Sequence, residues 1–199
     1  MNRSIFTAIL IFIFFPVFGT AFAQPTNDQL TEINDQRLQQ SRIAMTILGS
    51  WAAGSIVAGG IGMTQTSGSD RYFHEMNVAW NAVNLTIAGF GYFGSMKNPA
   101  SFTLSETIRE YQSYQNILLF NAGLDIGYAT FGAYLWERGI RNNSDRSIGY
   151  GQSLILQGAF LFVFDVILYV ASRSESNQLI NSLDGISISD SGAGFQIRF

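Results

Sequence analysis

Cysteine is absent from the 199-residue sequence, and histidine occurs once. The first absence excludes disulfides, thiol chemistry and cysteine-ligated metals. The second excludes a haem held between two histidines of one chain. Charge is scarce too. Asp, Glu, Lys and Arg together make up 13% of the residues, about half the share of an ordinary globular domain. The net charge of −3 is scattered over loops and tails without a basic block, which argues against nucleic acid as a partner. The chain has no phosphate loop, nucleophile elbow or two-histidine zinc helix. No familiar enzyme class is supported, and neither a cofactor nor a metal is implied.

What the sequence does have is apolar length. Its hydrophobic fraction of 47% is ordinary, but it is gathered into a few runs. Arg3, the apolar stretch Ile5 to Phe18 and the small-x-small site Ala21-Phe22-Ala23 before Gln24 read as a signal peptide over residues 1–23. The alternative is a fifth transmembrane helix. That run is short for a span, and Pro16 and Gly19 weaken its end.

Four later segments are each long enough to cross a hydrocarbon core of about 30 Å. They run from about Ser41 to Met63, Glu75 to Ser95, Gln115 to Trp136 and Gly149 to Ala171. Aromatics gather near their ends, among them Tyr72, Phe73, Tyr92, Phe93, Tyr111, Tyr114, Trp136, Tyr150 and Tyr169, as expected of residues at the water interface. Period-two alternation, which a transmembrane barrel needs, is missing from these runs. The predicted fold is an all-α membrane protein, a four-transmembrane-helix bundle over residues 24–185. Residues 186–199 read as a short β-hairpin: Ile186 to Ser189 and Phe195 to Phe199 alternate around Ser191-Gly192-Ala193-Gly194. One hairpin cannot close a barrel, so the terminal Phe199 is not taken as a barrel's last strand.

Some helices should overrun the membrane. Thr26-Asn27-Asp28-Gln29 and Thr103-Leu104-Ser105-Glu106 have capping-box spacing. Asn142-Asn143-Ser144-Asp145 is a turn, and the last helix should stop near Asp184-Gly185. Leu30, Ile33 and Leu38 share one side of the stretch that leads into the first span. A cleaved signal leaves the mature N-terminus outside, and four spans return the C-terminus there. The turn bearing Arg138, Arg141 and Arg146 is then cytoplasmic, as the positive-inside rule prefers. Counted over all loops the rule does not decide, because Arg37, Arg42, Lys97 and Arg109 fall outside. The location implied is the inner membrane of a bacterium, with the lipid bilayer as partner.

Three spans carry polar faces. At about 100° per residue, His74, Asn77, Asn81 and Asn84 fall within roughly 80° of one another on the second. Asn121, Asp125 and Tyr128 share a face of the third, at spacings of four and three. On the fourth, Gln157 and Asp165 lie roughly 80° apart. An Asp at the helix centre costs about 3 kcal/mol against lipid, so these faces should meet in a seam inside the bundle. Asn84 and Asp125 are expected near mid-membrane, with Asp165 nearer the outside and the amides of the second span as donors to Asp125. The seam can be structural glue, since Asn and Gln commonly bond between helices. The two carboxyls ask for more, because glue needs no charge. His74 reads as a hydrogen-bonded boundary residue, with a proton relay or metal ligand as the sharper alternative. Glu75 points about 100° away and makes no chelate with it.

The first span differs. Ser50, Gly54, Ala58 and Gly62 recur every four residues, with Ala52, Ser55 and Gly59 as a second small set. Such rows let helices approach closely. Packing within the bundle is expected, and homo-oligomerisation through Ser50, Gly54, Ala58 and Gly62 is the alternative.

The run Phe73-His74-Glu75-Met76-Asn77-x-x-Trp80-Asn81-x-x-Asn84, with Leu124-Asp125-x-Gly127-Tyr128 and Gly149-Tyr150-Gly151, resembles a family of small exported four-helix bacterial membrane proteins of unknown function, over roughly residues 30 to 175. That resemblance implies the same topology and no activity. The sequence thus favours a structural or accessory membrane protein rather than an enzyme. A small ion, proton or solute conduit using Asn84, Asp125 and Asp165 is the second reading. An intramembrane enzyme using His74 and a carboxylate is the third.

Overall fold

The computed structural model describes residues 25–185, and these form an all-helical structure. The signal peptide and the C-terminal hairpin expected above lie outside the described residues. Four long helices follow in order: α1 (Asn27–Gln65), α2 (Gly68–Gly94), α3 (Leu104–Arg141) and α4 (Asp145–Gly185), with a single 3-10 turn at Pro99–Ser101 before α3.

Both capping boxes form. Thr26 and Thr103 accept from the backbone N–H groups of Gln29 and Glu106, whose side chains reach back to the cap backbone. Each box satisfies two donors that a helix start otherwise leaves open. Gly68 opens α2 at φ +61° after a two-residue link, a left-handed backbone that glycine adopts without strain. Asn143, at φ 48°, makes the α3–α4 turn. Asparagine is one of the few other residues that tolerate this region.

The helices form two antiparallel hairpins, α1–α2 and α3–α4, joined side by side through α2 and α4. By backbone contact the order is therefore α1, α2, α4, α3, and side chains also bring α1 to α3 (Asn34 donates to Thr107 at 2.8 Å) and to α4 (Trp51 on Phe160). The backbones of α2 and α3 do not pack directly on each other. We call the end with the two short links the turn end, and the end with the 3-10 turn the opposite end. Glycines set the closest approach of α3 and α4: a Cβ on Gly132 would stand 2.7 Å from the Gly151 carbonyl oxygen.

The four-residue row on α1 does not pack as expected. Ser50, Gly54 and Ala58 are exposed, and a Cβ on Gly54 would meet nothing within 4 Å. The inward row is Ala44, Leu48, Ala52 and Gly59. Of the four-residue row, Gly62 meets the His74 ring laid across it, whereas the second small set packs inward as expected, with Ala52 and Gly59 buried and the Ser55 carbonyl accepting from Asn77. Side-chain volume explains the difference: α2 brings Val78 and His74 down onto Gly59 and Gly62, and that contact fixes the rotation of α1.

Burial is inverted relative to a protein folded in water. The largest side chains wholly withdrawn from the surface are Gln157, Asn34, Asn81, Thr107, Ser153 and Ser172. Large apolar residues such as Ile43, Val57, Phe90, Phe120 and Ile167 are more than half exposed. Two stretches, Asn27–Gln65 and Asp145–Asn177, are long and apolar enough to cross a membrane. By the same measure α2 and α3 are not, because amides, carboxyls and charges interrupt them.

Candidate functional site

The polar faces of α2, α3 and α4 come together, but as two different halves. Toward the turn end they form a closed ladder. Gln157 on α4 donates to Asn77 Oδ1 and accepts from Trp51 Nε1 at 3.4 Å. Asn77 in turn donates to the Ser55 carbonyl at 3.2 Å. Asn81 donates to the Asn77 carbonyl at 2.8 Å, and Asn84 donates to Asn81 Oδ1 at 3.4 Å. Trp51 stacks flat on Phe160, with ring centroids 3.9 Å apart. Asn81 and Gln157 have no exposed surface. The ladder is packed shut, which is what interhelical amide bonds achieve when each group finds a partner.

One turn further on, the gap between α2 and α3 opens into a cavity of about 320 Å³. Trp80 and Asn84 line it from α2, and Asn121, Asp125 and Tyr128 from α3. Leu161, Phe164 and Asp165 form the α4 wall. The Trp80 and Tyr128 rings meet edge to face at 4.7 Å and bridge the two helices across its turn-end floor. Asp125 and Asp165 are 3% and 7% exposed and lie within hydrogen-bonding reach of each other. Two carboxylates are both acceptors, so this contact bonds only when one carries a proton. As a carboxylate, Asp125 has an oxygen, Oδ2, that is buried without a donor among the described residues. The Trp80 indole N–H likewise lacks an acceptor there.

Gly158 makes the carboxyl contact feasible. A Cβ at that position would stand 2.6 Å from the Asp125 carbonyl oxygen, so α4 lies directly on the α3 backbone beside Asp125. With the helices this close, Asp165 reaches back to Asp125.

Toward the opposite end lies a second, smaller cavity of about 130 Å³, walled in part by Arg37, Glu110, Tyr111, Tyr114 and Glu175. Arg37 pairs with Glu110 at 3.6 Å and lies over the Phe102 ring. Tyr111 donates to Glu175 at 3.4 Å. Burial pushes the Glu175 carboxyl above its ordinary value, against the lowering effect of that bond. Burial, with the nearby Glu175 charge, drives the Tyr111 phenol far above its usual range. Tyr114, on the wall of this second cavity, is within electrostatic range of both Asp165 and Glu175.

Of the residues singled out by sequence, Asn77, Asn81 and Gln157 belong to the closed ladder. Asn84 sits at its edge, and Asn121, Asp125, Tyr128 and Asp165 line the cavity. Two expectations need correction. The ladder does not donate to Asp125, whose partner is Asp165, because the amides already satisfy one another. His74 makes no hydrogen bond among the described residues. Its ring lies between Gly62 and Phe73, and ten residues, about 15 Å of helix, separate it from Asn84. No group of three or more His, Cys, Asp or Glu that could hold a metal ion occurs among the described residues. Sequence reasoning passed over Trp80, Tyr114 and Glu175. The first two were counted only as parts of a motif and of an interface belt. The third stands beyond the apolar run.

Comparison with known proteins places this geometry in a family. The chain belongs to a family of unknown function (DUF6992), whose model matches residues 47–166 and so takes in the whole ladder and both cavity carboxyls. No curated protein and no solved structure matches it.

Proposed function

We propose that this member of a family without an assigned activity is an integral membrane protein of four spans. Its inner half is structural, and its outer half binds a single positive charge, a proton or a cation, at Asp125 and Asp165. Inverted burial supports the membrane setting: apolar side chains on the outside and amides and carboxyls within suit a lipid solvent, where polar groups must be satisfied internally. Export by a removed leader orients the chain with the 142–144 turn in the cytoplasm and the 96–103 connection outside. The three arginines Arg138, Arg141 and Arg146 then lie where positive charge is favoured.

The observation that carries the binding reading is the carboxyl pair. Two like charges in contact away from water repel strongly, and one positive charge between them removes the repulsion. The ladder makes the protein structural on the cytoplasmic side and leaves no polar path through that half. An intramembrane enzyme using His74 with a carboxylate draws no support from the geometry, since the His74 ring lies between Gly62 and Phe73, about 15 Å of helix from Asn84 at the carboxyl cavity. The conduit reading keeps one favourable feature, the position of Tyr114 within electrostatic range of both Glu175 and Asp165.

Infrared difference spectra of the protein in lipid, recorded on acidification, test the site. A carboxyl band should titrate in the wild type, change in Asp125→Asn and in Asp165→Asn, and stay unchanged in Glu137→Gln, whose carboxylate pairs with Arg141 at the turn end. Identical spectra for all four proteins would overturn the reading. Cation or proton flux through reconstituted vesicles that Asp125→Asn abolishes would replace it with the conduit.

A further inference from the structure

Resting on the reading of Asp125 and Asp165 as a site for one positive charge, we infer that the ligand is an organic ammonium with an apolar body, admitted sideways between α2 and α3. The cavity has a mouth at the side. Val83 and Ile87 on α2 and Leu124 on α3 all line it, yet they are 58%, 52% and 39% exposed. They belong to the same apolar exterior as the rest of these helices, so the mouth opens onto lipid rather than onto water.

The walls favour such a ligand over a small inorganic cation. A small ion must exchange its water for oxygens on several sides. Here Asn84, Asn121, Asp125, Tyr128 and Asp165 bring oxygens to the cavity, but Leu48, Val83, Ile87, Leu124, Leu161 and Phe164 make half of its lining residues apolar. An ammonium with an apolar tail needs the opposite: a short polar floor and a long apolar wall. Asp125 Oδ2, buried and without a donor, is an acceptor for its N–H. The Trp80 and Tyr128 rings at the floor add faces that attract a cation or pack an aryl group. The volume of about 320 Å³ is within the range of small-ligand pockets.

The test uses full-length protein in lipid nanodiscs, with 3-phenylpropylamine as the probe and 3-phenylpropanol as its uncharged counterpart. Titration calorimetry should show the amine binding at least about tenfold more tightly than the alcohol, a gap of about 1.4 kcal/mol. Asp125→Asn should cost the amine a similar factor. Val83→Trp changes an exposed position at the mouth and leaves both carboxyls in place, so it stays informative if Asp125→Asn fails to fold. It should weaken or abolish amine binding. Equal affinity for amine and alcohol, no amine binding at all, or full binding by Val83→Trp would each overturn the inference. If the infrared titration succeeds and the amine still does not bind, the charge site stands and the organic ligand falls.

Discussion

Asp125 and Asp165 are the residues on which most depends, and their contact gives a direct prediction. A double-mutant cycle of Asp125→Asn and Asp165→Asn, read by thermal unfolding in detergent, should be non-additive by more than about 0.5 kcal/mol, the usual limit for independent sites. Additive effects would separate the two side chains. Gln157 serves as the structural counterpart. Gln157→Leu removes one of the two donors to Asn77 Oδ1, leaving it Asn81 alone, and strands the Trp51 indole N–H in the packed half. It should destabilise the protein by about 1–3 kcal/mol. Glu175 adds a pH dependence. Its raised value means the folded state holds its proton where the unfolded chain has released it, so stability falls as pH rises through that window. Glu175→Gln should flatten this slope, with the larger gain at neutral pH and little difference in acid. The amides and carboxyls were legible in the sequence because each violates an apolar run at helical spacing. Their pairing was not, since spacing along one helix cannot say which neighbour satisfies which group. Asp125 therefore looked like a partner of the ladder.

Helix starts were the most legible feature of the elements. Thr26 and Thr103 carry their own signal three residues ahead, and both boxes form. Helix rotation was less legible. Ser50, Gly54 and Ala58 satisfy the spacing of a packing row, but the contact on α1 is decided by Val78 and His74 pressing from α2. The order α1, α2, α4, α3 was out of reach, and with it the gap between α2 and α3 that holds the cavity. Glycine positions test this arrangement. Gly158→Ala pushes a methyl into the α3 backbone and should cost about 1–3 kcal/mol as an overpacked contact. Gly123, on α3 itself, has nothing within 4 Å of its built Cβ. Gly123→Ala should be neutral, or stabilising by up to about 1 kcal/mol through helix propensity. Equal responses at the two sites would contradict the packing of α4 on α3.

At the scale of the molecule, one property organises the rest: amides, hydroxyls and carboxyls share the interior with a row of leucines and alanines, while many large apolar side chains lie outside. A water-soluble protein would bury Ile43, Phe90 and Phe120 and expose Asn81 and Gln157, and this chain does the reverse. Residues 47–166, the part matched by the family, contain both halves of the polar interior. A membrane setting therefore requires that lipid cover that apolar exterior. Thiol labelling in sealed, oriented vesicles measures this most directly, and the chain has no native cysteine to obscure it. Three single-cysteine variants suffice: Ser101→Cys in the α2–α3 connection, Ser144→Cys in the α3–α4 turn, and Val83→Cys on the apolar exterior. Membrane-impermeant reagent added outside should label the Ser101 variant at once and the Ser144 variant only after the vesicles are opened, and should spare the Val83 variant throughout. Labelling of all three from one side, with Val83→Cys as reactive as the loop positions, would show the exterior in water and contradict the account.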